Sequence, residues 1–338
     1  MRPLAWPKRN RHHATARRTV QAENLQTQSE QTATLQTQPE FDLTSIMSQR
    51  GDENFPVALR VMPARHRSNL LAIYGFARLV DDVGDELAGD RLAALDWLQA
   101  ELHRARSATA THPLMQQLSL LMADIALPDE PFLALIEANR LDQHKTRYET
   151  QAELARYCEL SANPVGQLVL AVFGFATPER IAMSNAVCTG LQIIEHLQDI
   201  GEDYTQKGRI YMPAAEMARF GVQEQHLAEA VAAPQLRALV AHEARAARGL
   251  LLQGVPLVRS LRGWAKLAVA GYLAGGLAAL DAITTGQHDV LAKLHKPSRR
   301  RTAAHLLALL ISIKSVALKP STKPAAALPK SFTRCKRG

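Results

Sequence analysis

The sequence predicts an all-α protein, on three observations. Ala and Leu, both strong helix formers, dominate an apolar content of 47%, and aromatic residues make up only 5%. Alternating β-branched runs and Asn-Gly or Asp-Gly hairpin turns are nearly absent. Two acidic clusters each place Asp at i and i+4, a spacing that stacks both side chains on one helical face.

The elements follow in order along the 338 residues. Residues 1–40 are rich in Gln, Thr, Arg and Ala, with Gln-Thr-Gln at 26–28 and again at 36–38. They lack apolar periodicity and read as a disordered N-terminal tail. The Arg-rich start has no apolar core of a secretory signal; a transit peptide is the minor alternative. Residues 41–292 read as the folded domain, with consecutive helices punctuated by Pro56, Pro63, Pro113, Pro128, Pro131, Pro164, Pro178 and Pro213, mostly near helix starts or in loops. Leu267–Leu280 is continuously apolar over 14 residues and rich in Gly and Ala, which fits a buried core helix. Residues 293–338 read as a basic C-terminal tail. Within it, Ala303–Leu318 holds the apolar run Leu306–Ile313, flanked by Arg299-Arg300-Arg301 and Lys314. Two readings of that stretch stand side by side: an amphipathic helix lying in a membrane interface, or a disordered tail containing one helix.

Charge is unevenly spread. Of 40 basic and 32 acidic residues, the C-terminal tail holds 12 basic and no acidic ones, and the N-terminal tail 6 and 3. The domain keeps 22 and 29, a net charge of −7. An acidic domain does not suit nucleic acid, which needs a basic face on the domain itself. Cys158, Cys188 and Cys335 have no CxxC spacing. They suit a reducing compartment without a structural zinc site, which points to the cytoplasm, with peripheral contact at the inner face of the cell membrane as the tail's addition.

The acidic clusters are Asp81-Asp82-Val83-Gly84-Asp85-Glu86 and Gln198-Asp199-Ile200-Gly201-Glu202-Asp203. A single acidic run on a helix is usually a solvated face. Here Leu70–Ala77 precedes the first run and Leu191–Ile194 the second, so both continue mainly apolar helices. Carboxylates seldom go inside unless paired or metal-bound. Neither run contains a Lys or Arg. Like charges at i,i+4 cost an isolated helix a few tenths of a kcal/mol, about 0.2–0.5, and a divalent cation would relieve them. Carboxylates plus substrate phosphates are the usual ligands of Mg2+. Two such faces across a cavity would hold a diphosphate through bridging ions.

The residues Tyr74-x-x-x-Arg78-x-x-Asp81-x-x-x-Asp85 and Gln198-Asp199-x-x-x-Asp203, followed by Lys207-Gly208-Arg209-Ile210-Tyr211-Met212-Pro213, resemble the squalene and phytoene synthase family. The resemblance covers roughly residues 45–285. It implies an isoprenoid-synthase helical bundle around a central apolar cavity, acting on prenyl diphosphates such as presqualene or farnesyl diphosphate. Two stretches look like the hydroxysqualene synthases of the hopanoid branch: Glu53-Asn54-Phe55-Pro56-Val57-Ala58, and Tyr157-Cys158-x-x-Ser161-Ala162-Asn163-Pro164-Val165-Gly166. That branch implies conversion of presqualene diphosphate and water to hydroxysqualene and diphosphate.

The resemblance also implies roles. Asp81 and Asp85 match the family's first metal-binding pair, and Asp199 and Asp203 the second, with Mg2+ as cofactor. Arg78 matches an arginine that contacts diphosphate or orders the aspartates, and Tyr74 lines the same face. Tyr157 matches a tyrosine near the reacting carbons. Lys207, Arg209 and Arg219 match basic positions that hold diphosphate as it leaves. Asn163, with Glu195-His196, distinguishes this chain and is a candidate for placing water. A basic residue such as Arg209 or Arg219 alone is usually a surface charge, and Tyr157 alone a half-buried helix tyrosine.

There are departures from the family pattern. Glu53-Asn54-Phe55 stands where many members have Ser-x-Ser-Phe, and Glu195 stands where others have Asn four residues before Asp199. The rivals within the family are squalene, presqualene diphosphate, and phytoene or dehydrosqualene synthase. A non-catalytic assembly subunit of the same fold is the alternative outside enzymology, and enzymes of the same pathway are the expected protein partners.

Overall fold

The computed structural model describes residues 62–292 and 296–311. The expectations for residues 1–40, for Glu53–Ala58 and for the chain beyond residue 311 lie outside that range. Among the described residues there are thirteen α-helices and no strand: α1 Ala64–Asp85, α2 Arg91–Arg106, α3 Pro113–Asp124, α4 Glu130–Asp142, α5 Gln151–Ser161, α6 Asn163–Val172, α7 Pro178–Gln198, α8 Ile200–Lys207, α9 Ala214–Phe220, α10 Pro234–Gln253, α11 Val255–Ser260, α12 Gly263–Thr285 and α13 Arg299–Ile311.

Local chemistry sets the boundaries. Proline occupies the first turn of α3, α4, α6, α7, α10 and α11, where its missing N–H costs nothing. Asp90, Thr150 and Thr177 cap α2, α5 and α7 by accepting from the backbone N–H three residues on. Gly208, at φ +66°, ends α8 in the left-handed conformation that glycine adopts without strain.

Two large apolar clusters form the body. One gathers α1–α4 with α6, and includes Phe76 and Phe132 edge to face at 5.1 Å. The other gathers α7, α10 and α12, with Leu251 and Leu273 fully buried. Truncating Leu251 to Ala would cost about 2–5 kcal/mol. A Cβ on Gly276 of α12 would lie 2.6 Å from Leu191 Cδ2 of α7, so glycine there lets the two helices close. α12 is long and apolar enough to cross a membrane, but 78% of its most apolar window is buried in the protein, as the core-helix reading of Leu267–Leu280 expects.

A third, smaller cluster joins Tyr148, Tyr157, Cys158 and Tyr211. It exists because two loops run side by side. The backbone N–H of Ile210 donates to Thr146 O at 2.9 Å and that of Ala214 to Tyr148 O at 2.8 Å. α13 lies within the stretch expected as basic tail. It docks on α12 and buries Leu309 in the second cluster, so folded structure continues past residue 292.

Candidate active site

α1 is unbroken through its acidic run, so Tyr74, Arg78, Asp81 and Asp85 fall at i, i+4, i+7 and i+11 on one face. Asp81 accepts a hydrogen bond from Asn139 Nδ2 of α4 at 3.1 Å. Gly84 makes that approach feasible, because a Cβ there would sit 2.0 Å from Asn139 Oδ1. Arg78 faces the neighbouring carboxylates instead: its Nε lies 3.0 Å from Asp82 Oδ1 and its Nη2 3.5 Å from Glu86 Oε1.

The second acidic motif differs from the sequence expectation of a continuing helix. α7 ends at Gln198 and α8 begins at Ile200, with Asp199 at the junction at φ −104°, ψ +10°. The i,i+4 relation survives, since the Asp203 N–H donates to Asp199 O at 2.8 Å. Asp199 is exposed and Asp203 buried.

The two motifs meet through cations, which corrects the expectation of acidic pairs without positive partners. Lys207 Nζ lies 3.1 Å from Asp85 Oδ2 and 3.4 Å from Asp203 Oδ1. Arg209 Nη1 donates to Asp85 Oδ1 at 2.6 Å. Both cations stand outside the acidic runs: Lys207 is the last residue of α8, and Arg209 follows the Gly208 turn. Arg209 is buried, and its backbone N–H bonds to Asp203 O at 2.9 Å.

Electrostatics separates three of the four aspartates. Burial raises Asp85, but Arg209 and Lys207 outweigh it and leave its carboxyl below the ordinary value. Asp81 is pushed up to about 7, by burial first, against its Asn139 hydrogen bond and Arg78. Asp81, like Asp199, nonetheless exposes much of its surface, so solvent tempers the effect of burial at both. Asp199 is pushed up to about 6 by burial and by Asp203 and Glu202.

Beside the carboxylates lies an aromatic wall. Tyr157 OH donates to Asp142 Oδ2 at 2.6 Å. The Tyr157 ring stands 5.3 Å from Tyr211 and 5.4 Å from Tyr148, and His196 stacks on Tyr211 at 3.8 Å. Burial raises Tyr157 well above its ordinary value and lowers His196 to about 3, so both stay neutral near pH 7. Burial also pushes Asp142 up to about 6. His196, Asp203, Arg209 and Tyr211 line one small pocket, which joins the second acidic motif to this wall.

Asn163 is buried at the start of α6 and accepts from Thr189 Oγ1 of α7 at 3.1 Å. Glu195 is half-buried on α7, one turn before Asp199. Arg219 stands apart: it is exposed on α9 and its Nη1 donates to Glu216 Oε2 at 3.1 Å. Asn139, Asp142 and Tyr148 were missed in the sequence. Their signal is a pair of polar residues at i,i+3 on the otherwise apolar buried face of α4, followed by an aromatic in the next loop.

The donor set fits Mg2+ in one respect and limits it in another. Hard carboxylate oxygens from two elements already share one ammonium, so a cation between them is compatible with the fold. No three of the four aspartates bring oxygens within 4.8 Å of one another; among the described residues only Glu216, His242 and Glu243 converge that closely. The aspartates therefore suit ions that take their remaining oxygens from a phosphate, not an all-protein cage.

The profile of the family described as squalene/phytoene synthase matches residues 48–303. A hydroxysqualene synthase of Rhodopseudomonas palustris is 38% identical over 214 residues, which are 62% of this chain and 72% of that one. The crystal structure of the squalene synthase HpnC from Alicyclobacillus acidocaldarius superposes with a TM-score of 0.63 at 38% identity, covering 74% of this chain and 90% of that one. A dehydrosqualene synthase solved with a ligand superposes at 0.69 with 25% identity, covering 79% and 94%.

Proposed function

The chain belongs to the squalene/phytoene synthase family, and from that premise we propose that it converts presqualene diphosphate and water to hydroxysqualene and diphosphate, with Mg2+ as cofactor. The observation that carries the reading is the meeting of both acidic motifs at Lys207, with Arg209 and the tyrosine wall alongside. The relatives named hydroxysqualene synthase support the branch.

Asp81, Asp85, Asp199 and Asp203 would hold Mg2+, which when bound neutralises charge that develops on the leaving diphosphate. Lys207 and Arg209 hold diphosphate oxygens from the far side of the same carboxylates, and the planar guanidinium bonds two oxygens at once. Arg78 and Tyr74 extend that face along α1. Arg219 has the weakest geometric support of the set, because it pairs with Glu216 on an exposed helix. Departure of diphosphate leaves an allylic or cyclopropylcarbinyl cation. Tyr157, with the Tyr211–His196 stack behind it, would supply π density toward such a cation and exclude water. Asp142 holds the Tyr157 hydroxyl in place. Asn163, which accepts from Thr189, and Glu195, one turn before Asp199, would hold the one water that captures the cation, with the Glu195 carboxylate taking the proton this water gives up. The reading places the enzyme in the cytoplasm beside the membrane that receives its apolar product.

The test is mass spectrometry of the products from purified protein, presqualene diphosphate and Mg2+ in labelled water, with and without NADPH. Labelled hydroxysqualene in both samples is the expected result. Squalene formed only with NADPH would assign reductive chemistry instead. Turnover of farnesyl but not presqualene diphosphate would assign the earlier condensation instead.

A further inference from the structure

We infer that the outward face of α13 is a docking surface for an anionic lipid bilayer. The helix is two-sided. Its inner side carries Leu306, Leu309 and Leu310, packed on the core of α7, α10 and α12. His305 Nε2 lies 2.8 Å from Asp281 Oδ2 of α12, and Arg301 Nη1 donates to Thr285 Oγ1 at 3.1 Å, so the helix is held in register. Its outer side carries Ala304, Leu307, Ala308 and Ile311, all exposed. Their spacing of i, i+3, i+4 and i+7 makes one continuous stripe. Leu307 is 58% exposed and Ile311 65%. Single apolar residues on a surface are ordinary. A helical stripe on an element that has already buried its other side calls for a partner.

Charge identifies that partner. Arg299 and Arg300 are exposed at the first turn of the same helix. Residues 293–338 carry 12 basic residues and no acidic one, whereas residues 41–292 carry 22 and 29. An anionic surface repels the acidic body and attracts the basic end, which turns α13 toward it. A basic segment with an apolar stripe settles at the boundary between headgroups and acyl chains. Nucleic acid would satisfy the charge and leave the stripe in water. A second copy of the chain would cover the stripe and press like charges together. An anionic bilayer satisfies both. The inference rests on the proposed reaction in one respect: an apolar product released from a charged diphosphate needs a membrane to receive it. Binding itself needs no substrate.

Co-sedimentation of the full chain with phosphatidylcholine vesicles, with or without phosphatidylglycerol, reads the docking directly. Binding is expected only with phosphatidylglycerol. The paired substitution Leu307→Ser and Ile311→Ser should weaken it roughly tenfold, and Arg299→Gln with Arg300→Gln by a similar factor. Circular dichroism and melting should stay unchanged, because these four side chains are exposed. Equal binding to both vesicle types would overturn the inference. So would vesicle binding that ignores the Leu307→Ser and Ile311→Ser pair, which assigns it to tail charge alone. A dimer on size exclusion that the same pair dissolves would assign the stripe to a second copy, and tighter binding to single-stranded RNA than to vesicles would assign the charge to nucleic acid. Failure of hydroxysqualene formation with vesicle binding intact would remove the proposed reaction and leave this surface standing.

Discussion

The two acidic motifs share a spacing and little else. On α1 the aspartates ride an unbroken helix and are held from outside, by Asn139 of α4, by Lys207 at the end of α8 and by Arg209 just past it. At the α7–α8 junction the helix breaks at Asp199, and the pair is held by its own backbone bond and by Lys207. The first motif is a wall and the second a corner. A wall is positioned by whatever packs against it. A corner is positioned by its turn, and it carries the following Lys207-Gly208-Arg209 back across to the wall. The difference teaches that i,i+4 spacing specifies a face and leaves open where the neutralising charge comes from.

The largest effects should come from the carboxylates themselves. Asp81→Ala, Asp85→Ala, Asp199→Ala and Asp203→Ala should each lower Mg2+-dependent diphosphate release by about 10²–10³-fold, the scale of losing one preorganised electrostatic group, with helical content unchanged. Near-normal rates for both Asp81→Ala and Asp199→Ala would break the picture of two cooperating faces.

Gly84→Ala probes the wall alone. The new Cβ collides with Asn139, so α1 and α4 must separate. Overpacking of this kind costs about 1–3 kcal/mol, visible in urea unfolding. Gly201→Ala in the corner meets its nearest neighbour, the Leu291 side chain, at 3.1 Å and should cost less. An equal loss in both would erase the distinction.

Lys207→Met removes the ammonium that both motifs share. The metal-free protein should lose about 1 kcal/mol, a value near the upper range for a partly exposed pair. Its melting temperature should then rise further on adding Mg2+ than that of the parent, because the ion takes over the vacated role. An unchanged Mg2+ response would show that Lys207 does not stand between the two faces.

The pH dependence follows from the raised carboxyls. Unfolded Asp titrates near ~3.9, whereas Asp199 and Asp81 sit at about 6 and about 7. The folded state therefore binds more protons in that window, and these groups reduce stability as pH rises from about 4 to about 7. His196, lowered to about 3, acts in the opposite direction over the lower part of that range, so the readout is the difference between two metal-free proteins: the melting temperature of Asp199→Asn should gain on that of the parent as pH rises from about 4 to about 7. A constant difference between the two would contradict the assignment. The smallest effect is on product choice: Asn163→Ala and Glu195→Asn should keep diphosphate release and shift product away from the hydroxylated form by a few-fold. An unchanged product ratio in both would free these residues from placing water.

Much was legible in the residues. Helical class, the proline-marked starts and the buried α12 follow from local propensity and apolar patterning, which act over a few residues. The acidic i,i+4 pairs follow from helical geometry, and with Lys207 and Arg209 they place the chain in its family. What the sequence could not show are relations between distant segments. The pairing of the 146–149 and 210–215 loops, the Tyr157–Asp142 bond, the approach of Asn139 over Gly84 and the double contact of Lys207 all join residues that no local rule connects. They depend on how whole helices pack, and packing is decided by shape complementarity summed over the core. The break at Asp199 is of the same kind: the local sequence is compatible with a continuous helix, and the turn stands in a tertiary setting where Lys207 and Arg209 reach Asp85.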